Sequence, residues 1–336
     1  MPRHTRLIVA ITLALAVLYA GWWTAGYVVL TRSLPAWAED RRAEGWQVDW
    51  TDASVTGFPS RFDTTLTEPA LADPATGWAW TAPFFQVFAL SYRPTHLIAV
   101  WPPEQTLWTP FARYALSHED MRASLRVTPG SALTLQSAAF DAHGLTVQGP
   151  GWSAGTARLR LAARQTPAAV DTLDLGIEAS TVTPAASLKD ALDPVGVLPA
   201  SVETLRLTAT VAFDAPWDRA ALERRRPQPT RIDLTDLRAT WGGLDLRVTG
   251  DLDVDGFGLA SGRLTVKATN WRQILTLAEA AGLLRPGLRG AAERGLATLA
   301  AQSGPDETLD VPLTVSDNVV SLGILPLGRL PPLILR

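Results

Sequence analysis

The chain has 336 residues, 47% of them hydrophobic and 19% charged, with a formal net charge of −3. That balance excludes a disordered chain, which needs few apolar residues and a high net charge, and it offers no electrostatic pull toward nucleic acid. Cysteine is absent and histidine occurs four times, which excludes disulfides, iron–sulfur clusters and thiol chemistry, so no metal and no cofactor is expected.

No charge interrupts the 25 positions between Arg6 and Arg32. A bilayer core of ~30 Å takes about 20 apolar helical residues, so residues 7–30 are predicted to span a membrane as one helix. Trp22, Trp23 and Tyr27 fall near its end, where an aromatic belt meets the headgroups. Arg3 and Arg6 precede the span. The positive-inside rule then puts residues 1–6 in the cytoplasm and everything after Leu30 on the far side of the membrane, as a single-pass protein. A cleaved signal peptide is the competing reading. Its apolar run is shorter, and Leu18-Tyr19-Ala20 is a poor cleavage site.

Residues 31–45 read as a juxtamembrane segment with a short helix over 34–44, Pro35 in its first turn and Gly45 as its stop. From 46 to 336 the pattern is that of a β-rich domain, divisible into halves at 46–180 and 200–336. Apolar residues alternate with polar ones at Trp46/Val48/Trp50, Phe58/Phe62/Leu66, Leu133/Leu135, Leu145/Val147, Leu159/Leu161 and Leu173/Leu175/Ile177. The same period continues through Leu205/Leu207/Ala209/Val211/Phe213, Leu244/Leu246/Val248, Leu252/Val254 and Leu264/Val266. Strict alternation marks strands with one apolar and one polar face. His143-Gly144, Trp241-Gly242-Gly243 and Asp255-Gly256 read as hairpin turns. Short helices are expected at 185–192 and 217–224. A helical hairpin is expected after Asn270, which would cap it with Gln273, with one apolar stripe through Ile274, Leu275, Leu277, Ala278, Ala281 and Leu284. Pro286-Gly287 would break the hairpin. A second stripe runs through Leu288, Ala291, Ala292, Leu296, Leu299 and Ala300 and ends at Gly304-Pro305. Leu313, Val315, 319–322 and 324–327 return to strand. The fold class is therefore mainly β (α+β): an antiparallel meander forming a curved or sandwich-like sheet, with a C-terminal helical hairpin and one N-terminal transmembrane helix.

Few motifs carry chemistry. Gly151-Trp152-Ser153-Ala154-Gly155 matches the nucleophile-elbow pattern. The residues after Ser153 alternate like a strand, and His118 and His143 precede it in the wrong order for that hydrolase fold. Asp251, Asp253, Asp255 and Gly256 open like a calcium loop, but its twelfth position is Gly262, where a bidentate Glu is needed. Arg224, Arg225 and Arg226 form the only basic cluster and read as a solvated loop before Pro227. Thirteen tryptophans are the larger anomaly. Seven of them, from Trp37 to Trp108, surround a segment from Phe84 to Trp101 that is apolar on both faces. Phe84, Phe85, Phe88, Tyr92, Leu97, Ile98 and Trp101 form the candidate surface for an apolar ligand.

Gly57-Phe58-Pro59-Ser60-Arg61-Phe62-Asp63, after the 46–50 strand and before Leu66-Thr67-Glu68-Pro69-Ala70-Leu71, resembles the opening motif of a bacterial envelope family, domain of unknown function 2125. The run Ser316-Asp317-Asn318-Val319-Val320-Ser321-Leu322-Gly323-Ile324-Leu325-Pro326-Leu327-Gly328 is similar to that family's C-terminal pattern. The resemblance covers nearly the whole chain and implies an envelope location. It carries over no catalytic residue. The plan of one anchor and a strand meander also resembles the AsmA and TamB envelope proteins, which implies an apolar groove that handles lipid.

The function expected from these residues is a non-enzymatic, membrane-anchored periplasmic protein that binds lipid or another apolar ligand in a sheet groove. The alternative is an assembly scaffold that binds another envelope protein through its Trp-rich face or a sheet edge. The expected partners are the inner membrane and lipid or an envelope protein, and no nucleic acid.

Overall fold

A computed structural model describes residues 3–167, 169–280, 289–303, 308–323 and 325–335. It begins with one uninterrupted helix, α1 (Arg3–Ala43), in place of the separate span and juxtamembrane helix expected from the sequence. Pro35 lies inside it. Proline removes the bond from its own nitrogen and crowds the carbonyl four residues back, but Leu34 and Ala36 on either side are good helix formers and the ladder resumes. Gly45, at φ +94°, ends the helix as expected. The Gly45 N–H donates to Arg42 O and the Trp46 N–H to Arg41 O, the paired bonds of a Schellman stop.

The chain divides into two compact units, Met1–Arg126 and Val127–Arg336. This boundary differs from the 46–180 and 200–336 halves read from the sequence. The strands on either side of residues 184–201 pair with each other along almost their whole length, so no domain can end there.

The N-terminal unit holds ten strands after α1. They are β1 (Gln47–Asp49), β2 (Asp52–Thr56), β3 (Arg61–Thr67), β4 (Ala70–Asp73), β5 (Trp78–Thr81), β6 (Phe84–Leu90), β7 (Arg93–Val100), β8 (Glu104–Trp108), β9 (Arg113–Ser117) and β10 (Asp120–Val127). Their pairing is simple once they are taken two at a time. β1 and β2, β3 and β4, β5 and β6, β7 and β8, and β9 and β10 are halves of five long strands, each broken once in the middle. The halves at each end pair in the same antiparallel order, β2–β3–β6–β7–β10 at one end and β1–β4–β5–β8–β9 at the other. Prolines mark three of the breaks: Pro69, Pro83 and the pair Pro102-Pro103. Proline cannot donate to a ladder, so each forces a local interruption. The line of breaks is still stitched together, by Glu68 N–H to Pro83 O, Ala82 N–H to Pro69 O, and His118 N–H to Pro103 O.

A buried polar knot sits beside this line. Trp80 Nε1 donates to Gln105 Oε1 at 2.9 Å, and Gln105 Nε2 lies 3.3 Å from His118 Nε2. The neutral ring accepts that bond; a protonated ring could not. Burial pushes the His118 imidazole below its ordinary value, only partly opposed by the Pro102 carbonyl and Asp120. His96, on β7, is lowered as well, by burial and by Arg126 and Arg93. A depressed folded pKa means the unfolded chain takes up protons first. Stability should therefore be full above about pH 6.5 and fall as the pH drops below it. The melting midpoint of the wild type is expected to decline between neutral pH and about pH 5. The decline should be smaller in His118→Gln and smallest when His96→Gln is added. Equal declines in all three proteins would refute the assignment.

The C-terminal unit is a meander in strict chain order. β11 (Leu135–Gly149), β12 (Trp152–Gln165) and β13 (Thr172–Thr183) lead to α2 (Ala186–Leu192). Then come β14 (Val202–Phe213), α3 (Arg219–Glu223), β15 (Pro229–Trp241), β16 (Leu244–Val254) and β17 (Ala260–Thr269). α4 (Trp271–Ala280), α5 (Arg289–Ser303), β18 (Thr308–Ser316), β19 (Val319–Leu322) and β20 (Leu325–Arg329) complete it. Each strand from β11 to β19 pairs antiparallel with the next.

Three expectations need correcting here. His143-Gly144 is not a turn: β11 runs through it in unbroken register, and the chain reverses at Pro150-Gly151, where Gly151 has φ +78°. Phe58 is not a strand residue, because Gly57-Phe58-Pro59-Ser60 is the turn between β2 and β3. Asn270 does not take the extended backbone of a usual cap; it has φ +57°, and its Nδ2 donates to the Gly243 carbonyl in the β15–β16 turn. Its own carbonyl receives the N–H of Gln273. The connection expected at Pro286-Gly287, with Ala281, Leu284 and Leu288, lies outside the described residues. So do the stop at Gly304-Pro305, the side chains of Ala278, Ala291, Ala292 and Leu299, and Ile324. Trp271 of α4, with Ala300, Leu296 and Ala297 of α5, packs on Ala268, Leu309 and Val311 of the sheet.

Candidate membrane and lipid interface

α1 has two parts with different surroundings. From Leu7 to Leu18 its large apolar side chains are exposed. From Tyr19 onward it meets the turns at one end of its own unit. The Tyr19 hydroxyl lies 2.8 Å from Ser91 Oγ, Trp22 Nε1 donates to Ser91 O at 2.9 Å, and Trp23 Nε1 donates to Arg61 O at 2.7 Å. Trp23 also stacks on Phe62 and meets Phe58 edge-on, at 5.6 and 5.2 Å between ring centroids. Gly26 faces the Phe62 ring, with room for no side chain: a Cβ there would stand 2.4 Å from Phe62 Cζ. The helix then runs back along β1 and β2, burying Ala38, to Arg42, whose guanidinium donates to Val48 O. Trp22, Trp23 and Tyr27, read as a belt facing lipid, thus include two residues that bolt the helix to β3 and to the β6–β7 turn. Sequence spacing cannot tell an aromatic that faces headgroups from one that faces protein, because both uses want a ring with a polar tip.

The seven residues of the expected apolar surface do not share one face. Cross-strand register puts Phe85 opposite Leu66, and Leu97 opposite Ala89. With Trp101, which touches Phe85 at 5.2 Å, these lie on one side of the sheet. Phe84, Phe88 and Ile98 lie on the other, beside Asp63 and Gln86. Tyr92 is in the β6–β7 turn. At the other end of the same strands, Trp46, Leu71, Trp78, Trp80 and Leu107 line an open cleft of about 430 Å³.

The C-terminal unit presents a longer apolar surface. Leu161, Ile177, Leu207, Leu237 and Val248 stand opposite one another on five successive strands, β12 to β16. Leu205 and Leu246 flank the row. Leu161, Ile177, Leu205, Leu237 and Leu246 keep 36–42% of their surface exposed. The opposite side of the same strands is a lattice of ion pairs: Arg158–Asp141 and Arg238–Asp245 are each joined by two hydrogen bonds, and Arg206–Glu178 and Arg247–Asp236 stand beside them. The Arg158 bond holds the Asp141 carboxyl below its ordinary range. Exposed pairs add little stability, so their meaning is directional: this face belongs to water. The apolar strip was present in the sequence as alternation in five consecutive strands. The eye goes instead to the aromatic-rich 84–101 segment, because large rings stand out more than evenly spaced leucines.

The two motifs of the resemblance each have a structural task. Gly57–Asp63 is the turn that receives α1. In the C-terminal motif, Asp317 and Asn318 take left-handed backbone between β18 and β19, and Asn318 is buried. Its Oδ1 accepts from Ala260 N, its Nδ2 donates to Gly258 O, and its carbonyl accepts from Leu330 N. One residue thereby ties the β16–β17 turn, through its side chain, to the tail, through its backbone carbonyl. A family described as an uncharacterized protein conserved in bacteria, DUF2125, matches residues 22–331. The chain belongs to this family. No curated protein matches it, and no solved structure does.

The remaining motifs of this DUF2125 protein have structural surroundings. Ser153 lies in β12 opposite Gln148, just after the Gly151 turn, with strand continuing beyond it where an elbow needs a helix. His143 is about 17 Å farther along β11 than Gln148, at the usual strand rise. Asp251 and Asp253 face Arg231, and Asp255 accepts from the N–H groups of Phe257 and Leu259 to shape a turn. Among the described residues, no group of three or more His, Asp or Glu converges to hold a metal ion. Arg225 pairs with Asp214 at 2.6 Å, and Arg226 donates to the carbonyls of Ala221 and Leu222 at the end of α3.

Proposed function

We propose that this DUF2125 protein is a non-enzymatic, membrane-tethered protein of the bacterial envelope that holds lipid acyl chains on the apolar strip of β12 to β16. α1 is the tether: it is long and apolar enough to cross a bilayer. Arg3 and Arg6 favour a cytoplasmic start, which would leave both units in the periplasm. The strip carries the reading. Soluble sheets bury their apolar face or cover it, and continuous exposed apolar patches mark binding surfaces. Five strands at ~4.8 Å spacing make the strip roughly 19 Å long, enough for an acyl chain that fills half of a ~30 Å hydrocarbon core. Each buried methylene contributes about 0.8 kcal/mol, so such a surface holds a chain without a polar code. A sheet of this kind needs no catalytic group, and the nucleophile-like Ser153 has no histidine partner on its own hairpin.

The test is photocrosslinking of the full chain in membranes containing a phospholipid with a diazirine on its acyl chain. Adducts are expected on β12 to β16, and Ile177→Lys combined with Leu237→Lys should cut them about tenfold, a charge at each site opposing acyl contact. Circular dichroism of the double variant checks that the sheet persists. Adducts confined to α1 would refute lipid binding on the strip. Recurrent crosslinks from the strip to one protein would establish the scaffold alternative in its place. A C-terminal reporter active only in the cytosol would refute the orientation.

A further inference from the structure

We infer that the β2–β3 and β6–β7 turns of the N-terminal unit sit inside the membrane surface, at the boundary of headgroups and acyl chains, with Phe58 and Tyr92 inserted beside α1. The inference rests on the reading that α1 crosses the bilayer, and goes beyond it by fixing where the folded body stands.

A core of ~30 Å takes about 20 helical residues, so a span that starts just after Arg6 ends near Gly26. The turns are already bonded to the helix at Tyr19, Trp22 and Trp23 and packed on it at Gly26. Between Tyr19 and Gly26 the helix rises about 10 Å. The free stretch before the first contact, from Leu7 to Leu18, is only about 18 Å long. A body held this way cannot stand clear of the bilayer while the helix crosses it.

Phe58 and Tyr92 are 60% and 61% exposed at the tips of the two turns. The charged residues beside them are Arg61, Asp63 and Arg93. Asp63 pairs with Arg61 at 2.8 Å and is mostly covered. Aromatic rings with arginines behind them suit the interface, where the rings enter the acyl boundary and the guanidinium groups reach phosphate.

Backbone groups at acyl depth must find partners within the protein. Ser91 is fully buried, its N–H donates to Ser60 O and its hydroxyl to Pro59 O, and its carbonyl accepts from Trp22. Arg61 N–H donates to Gly57 O, and Arg61 O accepts from Trp23. The indole N–H groups of the helix thus satisfy carbonyls of the turns that would otherwise need water.

The absence of native cysteine makes the test direct. Full-length variants Leu13→Cys, Phe58→Cys, Tyr92→Cys and Phe111→Cys are labelled with the fluorophore NBD in vesicles of phosphatidylethanolamine and phosphatidylglycerol. Phe111 is 93% exposed, in the turn at the far end of the strands, and reports water. Labels at 58 and 92 are expected to be blue-shifted and quenched by shallow nitroxide lipids about fivefold more than the label at 111. Labels at 58 and 92 as wet as 111, with 13 in lipid, would overturn the seating and leave the span intact. A wet label at 13 would overturn the span, and the seating with it. Because Tyr92 projects from a turn, its variant keeps the test valid if Phe58→Cys disturbs the fold.

Discussion

Phe62→Ala is expected to destabilise the N-terminal unit by about 3–5 kcal/mol, the range for deleting a buried phenyl ring. Phe62 is 5% exposed, and three things converge on it. Trp23 stacks on one side, Gly26 brings the helix backbone onto the ring edge, and Ala89 of β6 stands opposite it on the sheet. Removing the ring leaves a cavity that a rigid helix and a hydrogen-bonded sheet cannot close. Gly26→Val attacks the same joint from the helix side, since its branched side chain would have to occupy the place of the ring. Denaturant titration in detergent micelles, followed by tryptophan fluorescence, measures both variants. A loss below about 1 kcal/mol for Phe62→Ala would mean that α1 does not depend on this contact, and the seating of the turns at the membrane would lose its mechanical basis.

Trp271→Ala should cost the C-terminal unit a similar amount, about 3–5 kcal/mol. Trp271 is 2% exposed and is the largest fully buried side chain of the unit. It packs against Ala268, Leu309 and Val311 on β17 and β18, with Ala300 of α5 completing the cluster. Ala268 on the sheet and Ala300 on α5 are too small to fill the volume of the indole, so truncation opens a void in the cluster. The expected signature is local as well as global: amide exchange should rise first in β17 and β18. The apolar strip on β12 to β16 lies on other strands, and acyl crosslinking there should survive the substitution under conditions where the unit stays folded. Unchanged stability would show that α4 and α5 are not held on the sheet by this residue.

Much of the secondary structure was legible because period-2 alternation is a local property. Leu173/Leu175/Ile177 and Leu205 to Phe213 announced β13 and β14 without any knowledge of their neighbours. The Trp241-Gly242-Gly243 turn was legible for the same reason: Trp241 pairs with Leu244 across a tight loop whose first residue, Gly242, has φ +59°. His143-Gly144 misled because glycine permits a turn without requiring one, and the register of β11 against β12 overrode it. The bends of the N-terminal unit were hidden in plain view. Pro69, Pro83 and Pro102 each look like the end of a strand, and only cross-strand pairing shows that they interrupt three of five long strands along one line. The site was less legible than the fold. The 84–101 segment is apolar on both sides because both sides of β6 and β7 meet protein or partly covered surface, so its rings divide between two faces.

By itself the sequence determined the apolar run of the N-terminal helix, the predominance of antiparallel strands, and the alternation that gives the C-terminal strands one apolar face. These follow from spacing along a single segment, and spacing is set by backbone geometry that every chain shares. The tertiary structure alone decided that α1 is one helix bonded through Trp22 and Trp23 to the turns at Ser91 and Arg61. It alone decided that aliphatic residues scattered from position 161 to 248 form one strip. Both depend on residues tens of positions apart coming within contact distance, which pairing register and packing fix and local pattern does not encode.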